Sequence, residues 1–478
     1  MTTADRTRTT DPASATTAQP NDDAMLLRPL PSTLPGVERR PAVPGGFAAG
    51  GTAAGIKASG RPDLALIVAT GGPASVAAVF TPNAFAAAPV RLSQRHLAAS
   101  TEPDGDGRSG WAQAIVSTSG CANAATGALG DADQLEVART VAKTVGVDLA
   151  STLLLSTGVI GTRLPLDKVR AGVAGLWAAG LDATDAGLEA AAAALRTTDT
   201  RTKAATVGLT LPARGRPAVA VRVTGIAKGV GMIHPRMATM LAVVLTDAWV
   251  SPSVLQGMLR PAAARTWDQL SVDGDTSTND TVFLLASGAS GSDEVSAGTP
   301  EAELLGRAIE AVARDLARQQ AADGEGATTL LTCQVSGALD DADARAIARS
   351  IISSSLVKAA AHGRDPNWGR IVGAAGNARL ADARVLEAGG LDPTDAGRRG
   401  GGPATVDPDR LRVAIAGHLV FDGPAGGPVA FDRAAARAAM DVPELLVRLD
   451  LGLGDGTGEA FGCDLTEAYV VENSEYTT

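Results

Sequence analysis

Aromatic residues make up only 3% of this 478-residue chain. So few leave little surface on which nucleic-acid bases could stack. The core must instead come from Ala, Val, Leu and Ile. Positive charge is also in short supply, with 42 Lys and Arg against 52 Asp and Glu and a net charge of −10. A phosphate backbone needs a basic face, so nucleic acid is excluded as a partner. Cysteine occurs three times, at Cys121, Cys333 and Cys463. An odd number so widely spaced makes neither a disulfide framework nor a metal-ligand cluster. Free thiols in a reducing cytoplasm are expected. The four histidines, His96, His234, His362 and His418, form no paired metal motif. No apolar run reaches the roughly 18 residues that suggest a membrane span, so no membrane partner is expected.

What is present is an ordinary globular balance, 45% apolar and 20% charged. Residues 1–40 read as a disordered tail rich in Thr, Ala, Asp and Pro. Asp5, Asp11, Asp22 and Asp23 count against a transit peptide. Ordered structure is expected from about Pro44. Short buried strands are predicted at 63–69, 75–81, 151–158, 217–224, 240–245 and 328–335. Helical stripes fall at 134–145, 303–318 and 342–352, with a helix pair between 166 and 195. The Gly- and Asp-rich stretch 389–409 reads as an exposed insertion. Strands and helices alternate throughout, which predicts a layered α/β or α+β architecture.

Several familiar motifs fail. Residues 50–57 resemble a phosphate loop, but Ile56 stands where a lysine must follow glycine. Residues 273–280 offer oxygens like a calcium loop, yet Thr278 replaces the mid-loop glycine and Leu284 the closing glutamate. A hydrogen-bonded turn is the expected reading there. Ser290 lacks the second glycine of a nucleophile elbow. One stretch survives, 228–241, where Thr239 follows Ala238 and precedes an apolar run. Cutting the 238–239 peptide bond would give Thr239 a hydroxyl and a free α-amine, a nucleophile with its own general base. The plainer reading is a β-branched residue filling a strand.

Taken in order, residues 55–57, 79–83, 119–124, 156–161, 197–200, 228–241, 273–280, 323–327, 362–370, 463–467 and 473–478 resemble the ornithine acetyltransferase family, the glutamate N-acetyltransferases of the arginine pathway. The resemblance spans about residues 44–478. It implies a sandwich of inner sheets and outer helices, similar to N-terminal-nucleophile hydrolases but with different connectivity. It also implies self-cleavage between Ala238 and Thr239, giving an α chain ending at 238 and a β chain from 239 to 478. Thr239 would carry an acetyl group from N-acetylornithine to glutamate. Thr157 and Gly158 match the family's oxyanion hole, and Thr197, Lys228, Thr239, Glu325, Asn473 and Thr478 its substrate contacts. On sequence alone Lys228 and Glu325 would be solvated surface charges.

The resemblance further implies a dimer of αβ units in the cytoplasm, with no metal and no cofactor beyond acetyl-CoA as an open second donor. Val230, Cys121 and Thr329 depart from the family's commoner residues, and Val230 is closer to paralogues of specialised metabolism. An amidase or aminopeptidase, using water as acceptor, is the alternative for the same equipment. A non-catalytic binding protein is disfavoured by intact Ala238, Thr239, Thr157 and Gly158.

Overall fold

The computed structural model describes residues 30, 32, 34–101, 107–234 and 240–474. Two sheets lie face to face. The first has four strands, in the order Phe47–Thr52, Leu64–Ala69, Ala114–Cys121 and Thr152–Val159. The second has six, in the order Ser109–Ala112, Ala74–Phe80, Thr281–Ala286, Leu241–Thr246, Arg216–Lys228 and Lys203–Ala213.

Side chains alternate across a strand, so each sheet offers two apolar faces. Phe47, Ile67, Leu153 and Leu155 of the first sheet share a core with Val76, Ile226, Val243 and Phe283 of the second. Behind the first sheet, Leu66, Val116 and Leu154 pack on Val137 and Val141 of helix Gly127–Val145 and on Val169 and Val173 of helix Leu166–Ala179. Behind the second, Val79, Val244 and Leu284 meet Leu259 of helix Pro252–Arg265 and Val312 and Leu316 of helix Pro300–Ala321. Helices enclose paired sheets, as the layered α/β reading expected. Strands covered on both faces need continuous apolar runs. Leu64–Ala69, Leu241–Thr246 and Thr281–Ala286 are buried at every position.

A third sheet of seven strands extends the molecule, in the order Leu270–Ser271, Gly456–Cys463, Leu330–Ala338, Glu444–Asp450, Arg412–Ile415, His418–Asp422 and Gly427–Pro428. Helix Asp341–Ser353 covers it through Ile347 and Ile351. Several boundaries differ from the sequence reading for local reasons. The 303–318 helix runs Pro300–Ala321, because the Thr299 hydroxyl accepts from Ala302 N at 3.2 Å and Pro300 opens the first turn. The strand at 217–224 continues to Lys228, paired throughout with Lys203–Ala213. The 389–409 stretch is not a bare insertion: Asp392 caps helix Pro393–Arg399, and Ala396 is buried beside Leu380 and Leu386. The chain is already tied down before residue 41, with Glu38 and Thr206 exchanging backbone hydrogen bonds of 2.9 and 2.8 Å. Residues 1–29 of the expected tail lie outside the described residues.

One buried ionic cluster locks the layers together. Lys203 is fully buried, and its Nζ donates to Asp199 at 2.7 Å and to Asp323 at 2.6 Å. Burial alone would raise the Asp199 carboxyl, but Lys228, Lys203 and the Gly229 N–H hold it down at about 2. Replacing Lys203 by Ala strands two buried carboxylates and is expected to cost about 3–5 kcal/mol in urea unfolding. Asp199 has a depressed folded pKa against 3.8 in the unfolded chain. Its contribution is therefore complete above the unfolded value and lost as pH falls through about 2. Acid unfolding of an Asp199→Asn variant should be correspondingly flatter over that window.

Candidate active site

Seven segments converge on a cavity of about 280 Å³, one of them through Ala122 just after strand Ala114–Cys121. Strand Thr152–Val159 brings Thr157 and Gly158 at its C-terminal end. The turn after helix Asp185–Leu195 brings Thr197 and Thr198, and strand Arg216–Lys228 ends at Lys228. Residues 277–279 enter just ahead of strand Thr281–Ala286. Glu325 follows helix Pro300–Ala321, and Asn473 comes from the C-terminal helix Glu467–Ser474. Of the residues singled out from sequence, Thr157, Gly158, Thr197, Lys228, Glu325 and Asn473 are brought together here. Ala238, Thr239 and Thr478 lie outside the described residues.

Neither charge is a surface charge: Lys228 is 4% exposed and Glu325 8%. Burial pushes the Lys228 amine below its usual value, against the opposing pull of Asp199. Lys228 Nζ donates to Thr157 Oγ1 at 3.2 Å. With that oxygen accepting, the threonine's own proton is left for another acceptor, which suits it to meet a developing negative charge. Gly158 has φ +128°, and a Cβ there would stand 2.3 Å from the Gly120 carbonyl carbon. Only glycine lets the two strands approach this closely.

Glu325 is held from three sides. Its Oε1 accepts from Thr198 Oγ1 at 2.8 Å and its Oε2 from Asn473 Nδ2 at 3.0 Å. Its backbone N–H donates to Val230 O at 2.8 Å. Gly231 is the complement to this carboxylate, since a Cβ there would meet Glu325 Oε2 at 2.1 Å. The C-terminal helix thereby brings Asn473 to the cavity wall.

Sequence reading missed Thr198, Asn279 and Asp280 as individual contributors, although all lie in segments it quoted. Asn279 Nδ2 donates to Ala122 O at 2.7 Å and Ser156 O at 2.8 Å, tying its loop to the Thr157 strand. Asp280 is fully buried, and its Oδ1 accepts from Met240 N at 3.0 Å. Met240 N is the nitrogen of the 239–240 peptide bond, so this carboxyl anchors the chain one covalent bond from position 239. Residues 273–275 are tied by backbone donors. Asp273 accepts from the N–H groups of Met232, Ile233 and Asp275, which makes the hydrogen-bonded turn expected there.

Burial drives the Asp280 carboxyl well above its ordinary range, against the opposing effect of the Met240 N–H. A raised folded pKa means stability is present at low pH and lost as pH rises through the folded value. Asp280→Asn keeps an acceptor for Met240 and removes the buried charge. Its melting temperature should therefore equal or exceed the parent's at pH 8, and the difference should shrink at pH 5. A markedly lower melting temperature at pH 8 would contradict this.

The ArgJ family model matches residues 48–478. The chain is 42% identical over 451 residues to the arginine biosynthesis bifunctional protein ArgJ of Synechocystis sp., covering 92% of this chain and 98% of that one. It is 41% identical over 435 residues to the protein of the same name from Geobacillus kaustophilus, covering 91% and 95%. A solved structure of an ArgJ protein from Bacillus halodurans is 33% identical, spans 48% of this chain and 95% of its own, and has a TM-score of 0.40. A family match over most of the chain, with relatives aligned nearly end to end, means that the chain belongs to the ArgJ family and is an enzyme.

Proposed function

We propose that the chain is a glutamate N-acetyltransferase that moves an acetyl group from N2-acetyl-L-ornithine to L-glutamate through an ester on Thr239. Maturation would add water across the Ala238–Thr239 peptide bond and release the Thr239 α-amine. In the first half-reaction Thr239 Oγ attacks the acetamide carbonyl carbon while the α-amine takes the hydroxyl proton. An amine of unperturbed pKa about 7.7–8.0 suits that task near neutral pH. The carbon–nitrogen bond breaks, the same proton passes to the departing ornithine amine, and acetyl-Thr239 remains. Glutamate's amine then attacks the ester, gives up a proton, and leaves as N-acetylglutamate with Thr239 restored.

The observation that carries this reading is the meeting of Thr157, Gly158, Lys228 and Glu325 in one amino-acid-sized cavity. Its loop residue Asn279 adjoins Asp280, which holds Met240 N. Thr157 and Gly158 would receive the oxyanion. Lys228 offers an ammonium to a substrate carboxylate, and Glu325 a carboxylate to a substrate amine. Both substrates carry those groups, which fits a single site used twice. The family's relatives are named arginine biosynthesis bifunctional proteins, which supports a role in arginine supply. Acetyl-CoA as a second acetyl donor belongs to the same proposal and is tested by omitting N-acetylornithine.

Mass spectrometry of the purified protein, before and after brief incubation with N-acetylornithine, is the direct test. Two fragments divided at 238/239 are expected, the C-terminal one gaining a single acetyl group. Thr239→Ala should give one full-length band on a denaturing gel and no acetyl gain. Acetyl transfer by an uncut protein would end the proposal. Release of ornithine at the same rate without glutamate would instead favour the hydrolase reading. Thr157→Ala is expected to lower kcat by about a hundredfold, as loss of one oxyanion donor typically does.

A further inference from the structure

Residues 362–370 lie outside the lining of the catalytic cavity, yet His362 touches the helix that carries Asn473 into it. His362 closes helix Ser355–His362, which is seated by Val357 and Ala361 in the core shared with the third sheet. Lys358 pins the same helix, its Nζ donating to Ser271 O at 3.1 Å and Cys463 O at 2.8 Å. From that fixed base the ring faces a carboxylate on each side. Nδ1 lies 3.1 Å from Asp464 Oδ2, and Nε2 lies 3.2 Å from Glu467 Oε2. The Asp464 side chain is fully buried and also accepts from the N–H groups of Thr328 and Thr329 at 2.8 and 3.0 Å. Glu467 opens helix Glu467–Ser474, and its side chain is 89% exposed. Its carboxyl is held below the ordinary range, first by its own backbone N–H and then by His362. Only a doubly protonated imidazole has a donor on both nitrogens. The neutral ring must turn a lone pair toward one of the two carboxylates. Buried Asp464 cannot exchange a lost donor for water, whereas Glu467 can, so Glu467 is the partner released.

We propose that His362 is a positioning residue whose protonated ring latches helix Glu467–Ser474 and so holds Asn473 at the Glu325 carboxylate. The path is short. Thr466 Oγ1 donates to Gly326 O at 2.7 Å at the foot of the helix, His362 grips Glu467 in its first turn, and Asn473 Nδ2 reaches Glu325 Oε2 at 3.0 Å in its last. Without the grip on Glu467 the helix keeps its foot and loses its direction, and Glu325 loses a donor that fixes one of its oxygens. An exposed ion pair adds little to overall stability, so the cost falls on alignment rather than on folding. The latch opens as pH rises, because loss of the ring proton removes one donor. Other charged groups nearby are engaged elsewhere: Arg364 pairs with Asp441 at 2.7 Å, and Asp365 with Arg433 at 3.3 Å. Burial shifts Lys358 and Cys463 toward their neutral forms. On the latched helix, Tyr469 and Glu472 are pushed up by burial first and then by Asp273 and Glu325 respectively.

The effect on substrate rests on the acetyl-transfer reading, whereas the latch itself does not. Hydrogen–deuterium exchange of residues 467–474 in the full chain reads the latch directly, comparing the parent with Glu467→Gln at pH 6 and at pH 8.5. Imidazole ordinarily changes charge between roughly pH 5 and 8, so these values bracket it. At pH 6 the variant is expected to exchange about threefold faster than the parent, the scale of one exposed ion pair, and the ratio should shrink by pH 8.5. In a His362→Gln background the same substitution is expected to act equally at both pH values. KM for N-acetylornithine should rise about threefold at pH 6 in Glu467→Gln while kcat changes less than about twofold. Loss of a negative charge from the first helical turn would by itself act alike at both pH values, and that outcome overturns the proposal. Equal exchange in parent and variant at pH 6, or a KM unmoved while exchange quickens, overturns it too. A parent that transfers no acetyl group would end the acetyl-transfer reading and leave the exchange comparison to decide the latch.

Discussion

The site depends on a buried ion cluster that contains none of the proposed catalytic atoms. Lys203 sits between Asp199 and Asp323, and Asp199 also accepts the Gly229 N–H at 2.8 Å. Three chain segments are thereby fixed relative to one another: the turn carrying Thr197 and Thr198, the end of the strand carrying Lys228, and the helix end leading to Glu325. Buried charges are tolerated only when paired, so the cluster is rigid by necessity. Gln320 adds a neutral tie, donating from Nε2 to Lys228 O at 2.9 Å. Lys228 and Glu325 thus face the cavity from positions that surface side chains could not hold.

Close backbone approach does the rest. Gly158 allows the Thr157 strand to lie against Gly120, and Gly231 makes room for the Glu325 carboxylate. Gly326, at φ +67°, would drive a Cβ to 2.4 Å from Tyr469 N. It lets the C-terminal helix settle on the loop that carries Glu325. Thr466 fastens the same junction by donating to Gly326 O at 2.7 Å. Asn473 therefore reaches the cavity from a docked helix rather than from a loose end.

Much of the framework was legible in the sequence because burial on both faces demands continuous apolar runs. The runs 63–69 and 240–245 were read that way, and the amphipathic stripe over 303–318 gave its helix directly, although Leu304, placed on that stripe, is exposed. The third sheet was mostly missed beyond Leu330–Ala338, although Leu445, Val447 and Leu449 alternate cleanly with exposed or half-buried neighbours. Its other strands are short or interrupted by glycines, and their pairing is set by partners far away in the chain. The positions of Lys228, Glu325 and Asp280 could not follow from periodicity either. A charge read in isolation belongs on the surface, and only contacts across many residues reverse that. The resemblance to a known family supplied Lys228 and Glu325 but not Asp280, while the geometry gives the physical reason all three are buried.

The six-stranded sheet carries a consequence for a chain severed at 238/239. Its two middle strands, Thr281–Ala286 and Leu241–Thr246, descend from the later half, while the pairs outside them descend from the earlier half. If the chain is cut there as proposed, the pieces would be laced like fingers of two clasped hands, each completing hydrogen-bonding edges that the other would leave bare. Such halves are not modules that could dock after folding separately. They would have to arise from one folding event, and the proposed nick between them would change the number of chain ends without creating a new interface.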